Sequence, residues 1–357
     1  MNLGLNFDDV LILPNRTTLS SRSEVSLERT YQFYHSPRIW HGVPIISVNM
    51  IQTGCVGMSE ILKTFKIITW LHKFHDLGPL SEYIKGNMDY VWASMGKNEE
   101  DIKKVKQLGF QPNLRIDVPN GYCEDFVKFC SKVRNEFPDS IIAAGNVCTS
   151  EMTQELIIHG GIDIVVEGIG GGSNCLSRVK TGVGCPQLTT VLNTSKVAHG
   201  LKSGEKKMGL IVSDGGCTNP GDVCKAFVGG ADFVGLGGMF MGCDENEGEW
   251  SYDEYPFNND GHVKYGNKSS IKCYGLSSRT AQEKHFTVKN YRTTEGRTTQ
   301  IPYKGTTTEV VEDILGGLRS CATYIGATSI KDFSKCGEFI QVNQTHNQIF
   351  KDYTIGN

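Results

Sequence analysis

The chain has 357 residues, of which 39% are hydrophobic and 21% charged, and its net charge is −3. That length allows one large α/β domain or two medium ones, either with a substantial buried core. The near-neutral balance excludes global attraction to nucleic acid or an anionic membrane, and no apolar run approaches the roughly 20 residues of a membrane span.

The opening MNLGLNFDDV carries Asp8 and Asp9 and lacks the basic-then-apolar pattern of a secretory leader. The 12 cysteines include no C-x-x-C pair, so free thiols in a reducing cytoplasm are expected. Eight short apolar runs follow: PIISVNM (44–50), IITWLHK (67–73), YVWASMG (90–96), NLRIDVPNG (113–121), IIAAGNV (141–147), IDIVVEGIG (162–170), GLIVSDGG (209–216) and FVGLGG (233–238). Such β-branched runs suit strands buried on both faces. At the end of the second run His72 and, just beyond it, His75 form an H-x-x-H with no Cys or carboxylate at metal spacing, so no zinc site is expected there. Between runs, 100–110, 150–161 and 221–231 show apolar spacing of three and four before a glycine, as helices do. Residues 309–326 read as a final helix.

Most runs start 21–28 residues apart, room for one strand, one helix and two loops. A doubly wound sheet shares that alternation. The count of eight, and the polar residues gathered where the runs end, favour an α/β fold of the (β/α)₈ TIM-barrel type. Asn49, Lys73, Asp117, Asn146, the 168–184 loop, Asp214, Gly237 and Gly238 would then share one face. The whole chain reads as a single barrel domain without a regulatory insertion. Residues 243–308, polar and irregular, read as a mobile flap over its mouth.

The loop GIGGGSNCLSRVKTGVG (168–184) sets Cys175 among glycines, hydroxyls and two cations. Nearby positive charge favours a thiolate, and a thiolate adds to electrophilic carbon. Ser177 can hydrogen-bond a leaving group, and Glu295 on the flap can exchange a proton through it. Three glycine-rich strand ends, GIGGGS, SDGG and GLGG, come from consecutive late units, the usual phosphate position in barrels. Ser173 and N–H groups near Gly216 and Gly238 suit a phosphate, and Asp214 suits ribose hydroxyls. Loop carbonyls suit a monovalent cation.

These motifs, with NFDDVLILP (6–14), GADFVGLGGMF (230–240), YGLSS (274–278) and FIQVNQTHNQIF (339–350), resemble the IMP dehydrogenase/GMP reductase family nearly end to end. YRTTEGRTTQIPYKG (291–305) and the absent regulatory insertion resemble its reductase branch. The resemblance implies NADPH-dependent conversion of GMP to IMP and ammonia through a covalent adduct on Cys175, with Ser177 and Glu295 handling the proton. It implies GMP contacts at Ser173, Asp214, Gly215, Gly216, Gly237, Gly238, Gly275, Leu276, Ser277, Arg292 and Gly296. For NADPH it implies Ser21, Arg22, Lys73, Asp117, Val118, Pro119, Ile169, Gly170, Leu276, Tyr291 and Arg292. Across a subunit boundary it adds Ser320, Cys321, Ala322 and Thr323. Potassium would take Gly170, Gly172, Cys175 and Arg178. The family implies a cytoplasmic homotetramer acting in purine salvage.

The chain departs from the family pattern at three places. The usual NMDTVGT is NMIQTGC (49–55), placing Ile51, Gln52 and Cys55 near the mouth; Ser177 replaces a threonine; Leu276 replaces a methionine. The first departure keeps open a nucleotide-binding relative with little catalysis, and IMP oxidation is a further alternative.

Overall fold

The computed structural model describes residues 3–255, 264–285 and 293–343. Eight parallel strands close into a barrel: β1 Ile45–Ser47, β2 Ile68–Trp70, β3 Val91–Met95, β4 Leu114–Asp117, β5 Ile142–Val147, β6 Ile164–Glu167, β7 Leu210–Asp214 and β8 Phe233–Leu236. Each strand pairs with the next, and β8 returns to β1 with Val234 opposite Ile45. All eight apolar runs are barrel strands, and the fold is the (β/α)₈ type expected from their count.

Helices α1 Val56–Leu62, α2 Ser81–Gly86, α3 Glu99–Lys106, α4 Glu124–Glu136, α5 Ser150–Ile158, α6 Gln187–Gly200, α7 Pro220–Val228 and α8 Thr307–Ile325 surround it. Side-chain oxygens start several of them: Asn98 accepts from the Asp101 N–H and Asn219 from the Asp222 N–H, while Thr306 and Glu309 form a reciprocal capping box. The helices anticipated through 110, 161 and 231 stop at Lys106, Ile158 and Val228, because the remaining residues turn the chain toward the next strand.

Strand alternation divides the core in two. Ile45, Val91, Leu114, Ile142, Val165, Ile211 and Val234 face the helices, whereas Ile46, Ile68, Trp70, Trp92, Ile164, Val212 and Phe233 fill the barrel. An antiparallel hairpin, Arg29–Gln32 with Ile39–Gly42, closes the N-terminal end, setting Tyr31 and Trp40 against Phe233 at 4.8 and 5.1 Å between ring centroids.

Residues 243–308 are more regular than their composition suggests. They carry an antiparallel sheet of β9 Glu249–Tyr255, β10 Lys264–Tyr274 and β11 Thr298–Pro302. A single buried face, Ile271 and Cys273 packed with Met241, leaves most of its residues polar, which hides the period of two.

Candidate active site

The C-terminal strand ends surround a cleft of about 1860 Å³, where a single small ligand typically needs roughly 300–1,000 Å³. Asn49, Lys73, Asp117, Asn146, Asp214, Gly237, Gly238 and most of the 168–178 loop line it together. Two ligands side by side therefore fit its size.

On one wall Cys175 sits in a tight turn, its N–H donating to the Gly172 carbonyl at 3.0 Å. A strap from the 249–302 sheet runs antiparallel beside it, bridging Gly296 to Cys175. The Leu176 N–H donates to the Glu295 carbonyl at 2.6 Å, and the Arg297 N–H to the Asn174 carbonyl at 3.0 Å. Arg297 Nε donates to the Ser173 carbonyl at 2.8 Å, and Thr299 Oγ1 to Asn174 Oδ1 at 3.0 Å. Only glycine fits at 296, because a Cβ there would lie 2.7 Å from the Ser278 nitrogen. This lacing aligns three groups: the Cys175 thiol donates to Ser177 Oγ at 3.3 Å, and Ser177 Oγ donates to Glu295 Oε2 at 2.6 Å. A proton path thus runs from sulfur through a hydroxyl to a carboxylate.

Across the cleft, Gly215 and Gly216 take φ of +99° and +83°, a conformation that favours glycine. The Gly216 N–H is taken by the Gly171 carbonyl at 3.0 Å, so it ties two glycine loops together rather than pointing free. Gly238 faces Ser173, whose Oγ lies 3.3 Å from where a Cβ would stand. Lys304 Nζ donates to the Gly238 carbonyl at 3.1 Å, placing a cation beside that turn.

Beneath the mouth lies a charged network. Lys73 Nζ donates to Asp117 Oδ2 at 3.1 Å. Arg115 Nη2 reaches Asp117 Oδ1 at 3.4 Å and Asn146 Oδ1 at 2.6 Å, and Asn146 Nδ2 donates to Asp214 Oδ2 at 2.8 Å. Burial pushes the Asp117 carboxyl up, but the charges of Lys73 and Arg115 outweigh it and hold Asp117 below the ordinary carboxylate range. Burial dominates at Asp214 and keeps its carboxyl above that range, against the Asn146 hydrogen bond and the Arg115 charge.

Of the residues singled out from sequence, Lys73, Asp117, Val118, Pro119, Ile169, Gly170, Gly172, Ser173, Cys175, Ser177 and Arg178 line the cleft, with Asp214, Gly215, Gly216, Gly237, Gly238, Gly275, Leu276, Ser277, Glu295 and Gly296. Tyr291 and Arg292 lie outside the described residues, as do 344–350 of the C-terminal motif. Ser21 and Arg22 do not join the cleft. Ser21 caps the turn Arg22–Glu24, which packs on α8, the helix that carries Ser320, Cys321, Ala322 and Thr323, also away from the cleft. Within one chain neither group reaches the mouth.

Ile51, Gln52 and Cys55 likewise do not line the cleft. Gln52 is fully buried, its Nε2 3.4 Å from the Lys272 carbonyl of β10, and the Cys55 thiol points to the Gln52 and Glu245 carbonyls. The departures at Gln52 and Cys55 therefore fall on the joint between the barrel and the segment that follows β8. His72 and His75 stack on each other at 3.7 Å, and Phe74 stacks on His285 at 4.2 Å. Arg115, Asn174 and Lys304 escaped the sequence reading. Arg115 had a signal, a lone cation inside an apolar strand run.

A family model described as IMP dehydrogenase / GMP reductase domain matches residues 4–348. Proteins called GMP reductase from Yersinia pestis (strain Pestoides F) and Yersinia pseudotuberculosis (serotype O:1b, strain IP 31758) are each 46% identical to the chain, covering 98% of it and 97% of their own length. A barrel of eight units, a cysteine loop laced to a strap and glycine-rich ends on strands six to eight thus coincide with similarity along almost the whole chain, which belongs to the IMP dehydrogenase/GMP reductase family.

Proposed function

We propose that the protein is an NADPH-dependent oxidoreductase that converts GMP to IMP and ammonia, a purine-salvage step. The observation that carries this reading is the line of Cys175, Ser177 and Glu295 on the wall of a cleft with room for two ligands.

The ribose hydroxyls of GMP would meet the Asp214 carboxylate, and its phosphate the Ser173 hydroxyl and the Gly238 turn, with Lys304 adding positive charge. Gly215, Gly216, Gly237, Gly275, Leu276, Ser277 and Gly296 would shape the slot for sugar and base. Glu295 draws the thiol proton through Ser177, and the sulfur of Cys175 bonds to C2 of the purine. The C2–N bond then breaks. Ser177 protonates the departing amine, returning the same proton from Glu295, and a thioimidate to Cys175 remains.

The donor set fits a dinucleotide: Lys73 offers a cation at a strand end, the Asp117 carboxylate can accept two hydroxyls, and Val118, Pro119, Ile169 and Gly170 continue that wall. NADPH held there would supply a hydride to C2, and Cys175 would leave as the thiolate. Ser21, Arg22 and 320–323 lie away from their own cleft, so contact with NADPH would require a neighbouring copy, as in the homotetramer that the family resemblance implies. The backbone carbonyls of Gly170, Gly172, Cys175 and Arg178 would offer hard oxygens without carboxylate, which suits potassium better than a transition metal. Among the described residues no group of three His, Cys, Asp or Glu gathers for a metal.

Mixing the protein with GMP and NADPH tests the reading. It expects loss of the reduced nicotinamide absorbance, equimolar ammonia and stimulation by potassium. Tight GMP binding without turnover, or turnover of IMP with an oxidised nicotinamide instead, would overturn it.

A further inference from the structure

Arg115 has no assigned role, yet it is the most buried cation in the barrel, 1% exposed on β4. A guanidinium so placed is costly unless several acceptors meet it. Its Nη1 donates to the Ile116 and Gly145 carbonyls, its Nη2 to Asn146 and Asp117, and its Cζ lies 5.1 Å from the Trp70 ring centroid.

Asn146 has one oxygen and one NH₂ to distribute. Arg115 only donates, so the amide oxygen must face it. The NH₂ must then face Asp214 Oδ2 at 2.8 Å and the Gly168 carbonyl at 3.0 Å. With the amide turned over, its oxygen would confront the Asp214 carboxylate and its NH₂ the guanidinium, both repulsive. Arg115 thereby dictates which way a residue one strand away points.

Resting on the GMP-binding reading of Asp214, we infer that Arg115 is a positioning residue that keeps Asp214 ionised and oriented for the substrate ribose, acting through Asn146, while pairing with the cofactor-side carboxylate Asp117. The charged and titratable groups facing this cluster are Lys73 from the β2 end, Asp117 on β4, Asp214 on β7 and the Cys130 thiol on α4. Without the cation, two carboxylates face each other across Asn146 with only Lys73 to offset them. A neutral Asp214 accepts fewer hydrogen bonds from a diol. Its raised carboxyl value means that ionisation, and with it ribose recognition, is lost as pH falls; removing Arg115 moves that loss to higher pH.

The test is direct GMP binding without NADPH from pH 5.5 to 9, for wild type, Arg115→Met, Arg115→Lys and Asn146→Asp. Arg115→Met is expected to move the acid limb of GMP binding to higher pH, weakening binding about tenfold per unit of displacement on that limb, and to recover toward wild type near pH 9. Arg115→Lys restores part of the acid limb. Asn146→Asp keeps the guanidinium paired but sets a negative charge against Asp214, so it displaces the limb the same way even if Arg115→Met does not fold. Parallel pH profiles for wild type and Asn146→Asp, or a loss in Arg115→Met equal at all pH, would overturn the inference. Failure of wild type to bind GMP would instead strike the functional reading on which it rests.

Discussion

At the N-terminal end of the barrel, Tyr31, Trp40 and Phe233 stack into a plug, with Trp40 Nε1 and the Tyr31 hydroxyl each spent on a backbone carbonyl. At the C-terminal end the same strands finish in glycines, carboxylates, an amide and a lysine around an open cleft. The two ends share strands and differ in what the side chains must do. The plug maximises buried apolar contact and satisfies its few polar atoms internally. The mouth leaves polar groups for ligands and uses glycine where the chain must approach closely. Stability should therefore reside in one end and activity in the other, and substitutions can separate them.

The largest expected effect is at the mouth. Cys175→Ala should lower kcat by about 10⁴-fold or more, as loss of a covalent nucleophile does, with GMP affinity within about threefold and an unchanged melting curve. Residual turnover at a tenth of wild type would exclude an adduct on this sulfur. At the floor, Trp40→Ala should destabilise by about 3–5 kcal/mol in denaturant unfolding, while KM for GMP in the folded fraction stays constant. A KM change there would show that the ends are coupled. Glu295→Gln should cost about 10²–10³-fold in kcat and leave GMP binding intact; equal losses in both would make it a binding residue.

The smallest effect probes the wall between the ends. Glu167 on β6 is fully buried; Thr153 Oγ1 donates to its Oε1 at 2.7 Å, and its Oε2 has no partner. Burial pushes its carboxyl up to about 8, weakly opposed by Thr153. The folded state thus holds a proton that the unfolded chain has released, so stability declines as pH rises from the ordinary glutamate range toward 8. Glu167→Gln should flatten that decline in thermal melts between pH 6 and 9. Parallel curves for the two proteins would show the carboxyl to be charged in place.

Strands were legible because a strand covered on both faces needs only a short β-branched run, and that requirement is local. The cysteine loop and glycine ends were legible for a similar reason, since their chemistry is carried by neighbouring residue types. The plugging hairpin was not, because RTYQ and IWHG (29–32 and 39–42) alternate weakly and gain meaning only against Phe233, some two hundred residues on. The 249–302 sheet was masked by its single apolar face. Ser21, Arg22 and Gln52 sat plausibly near the mouth in sequence, yet the fold turns each toward another element.

By itself, then, the sequence determined the eight-unit barrel, the family and the residue types that gather at the mouth, since burial pattern and turn chemistry act over a few residues. Sequence alone already pairs Ser177 with Glu295, but how those residues are brought together was decided by tertiary structure. The reach of Glu295 to Ser177 spans more than a hundred residues, and the orientation of Asn146 depends on a cation one strand away. Both follow from hydrogen-bond geometry between distant segments, which no local pattern encodes.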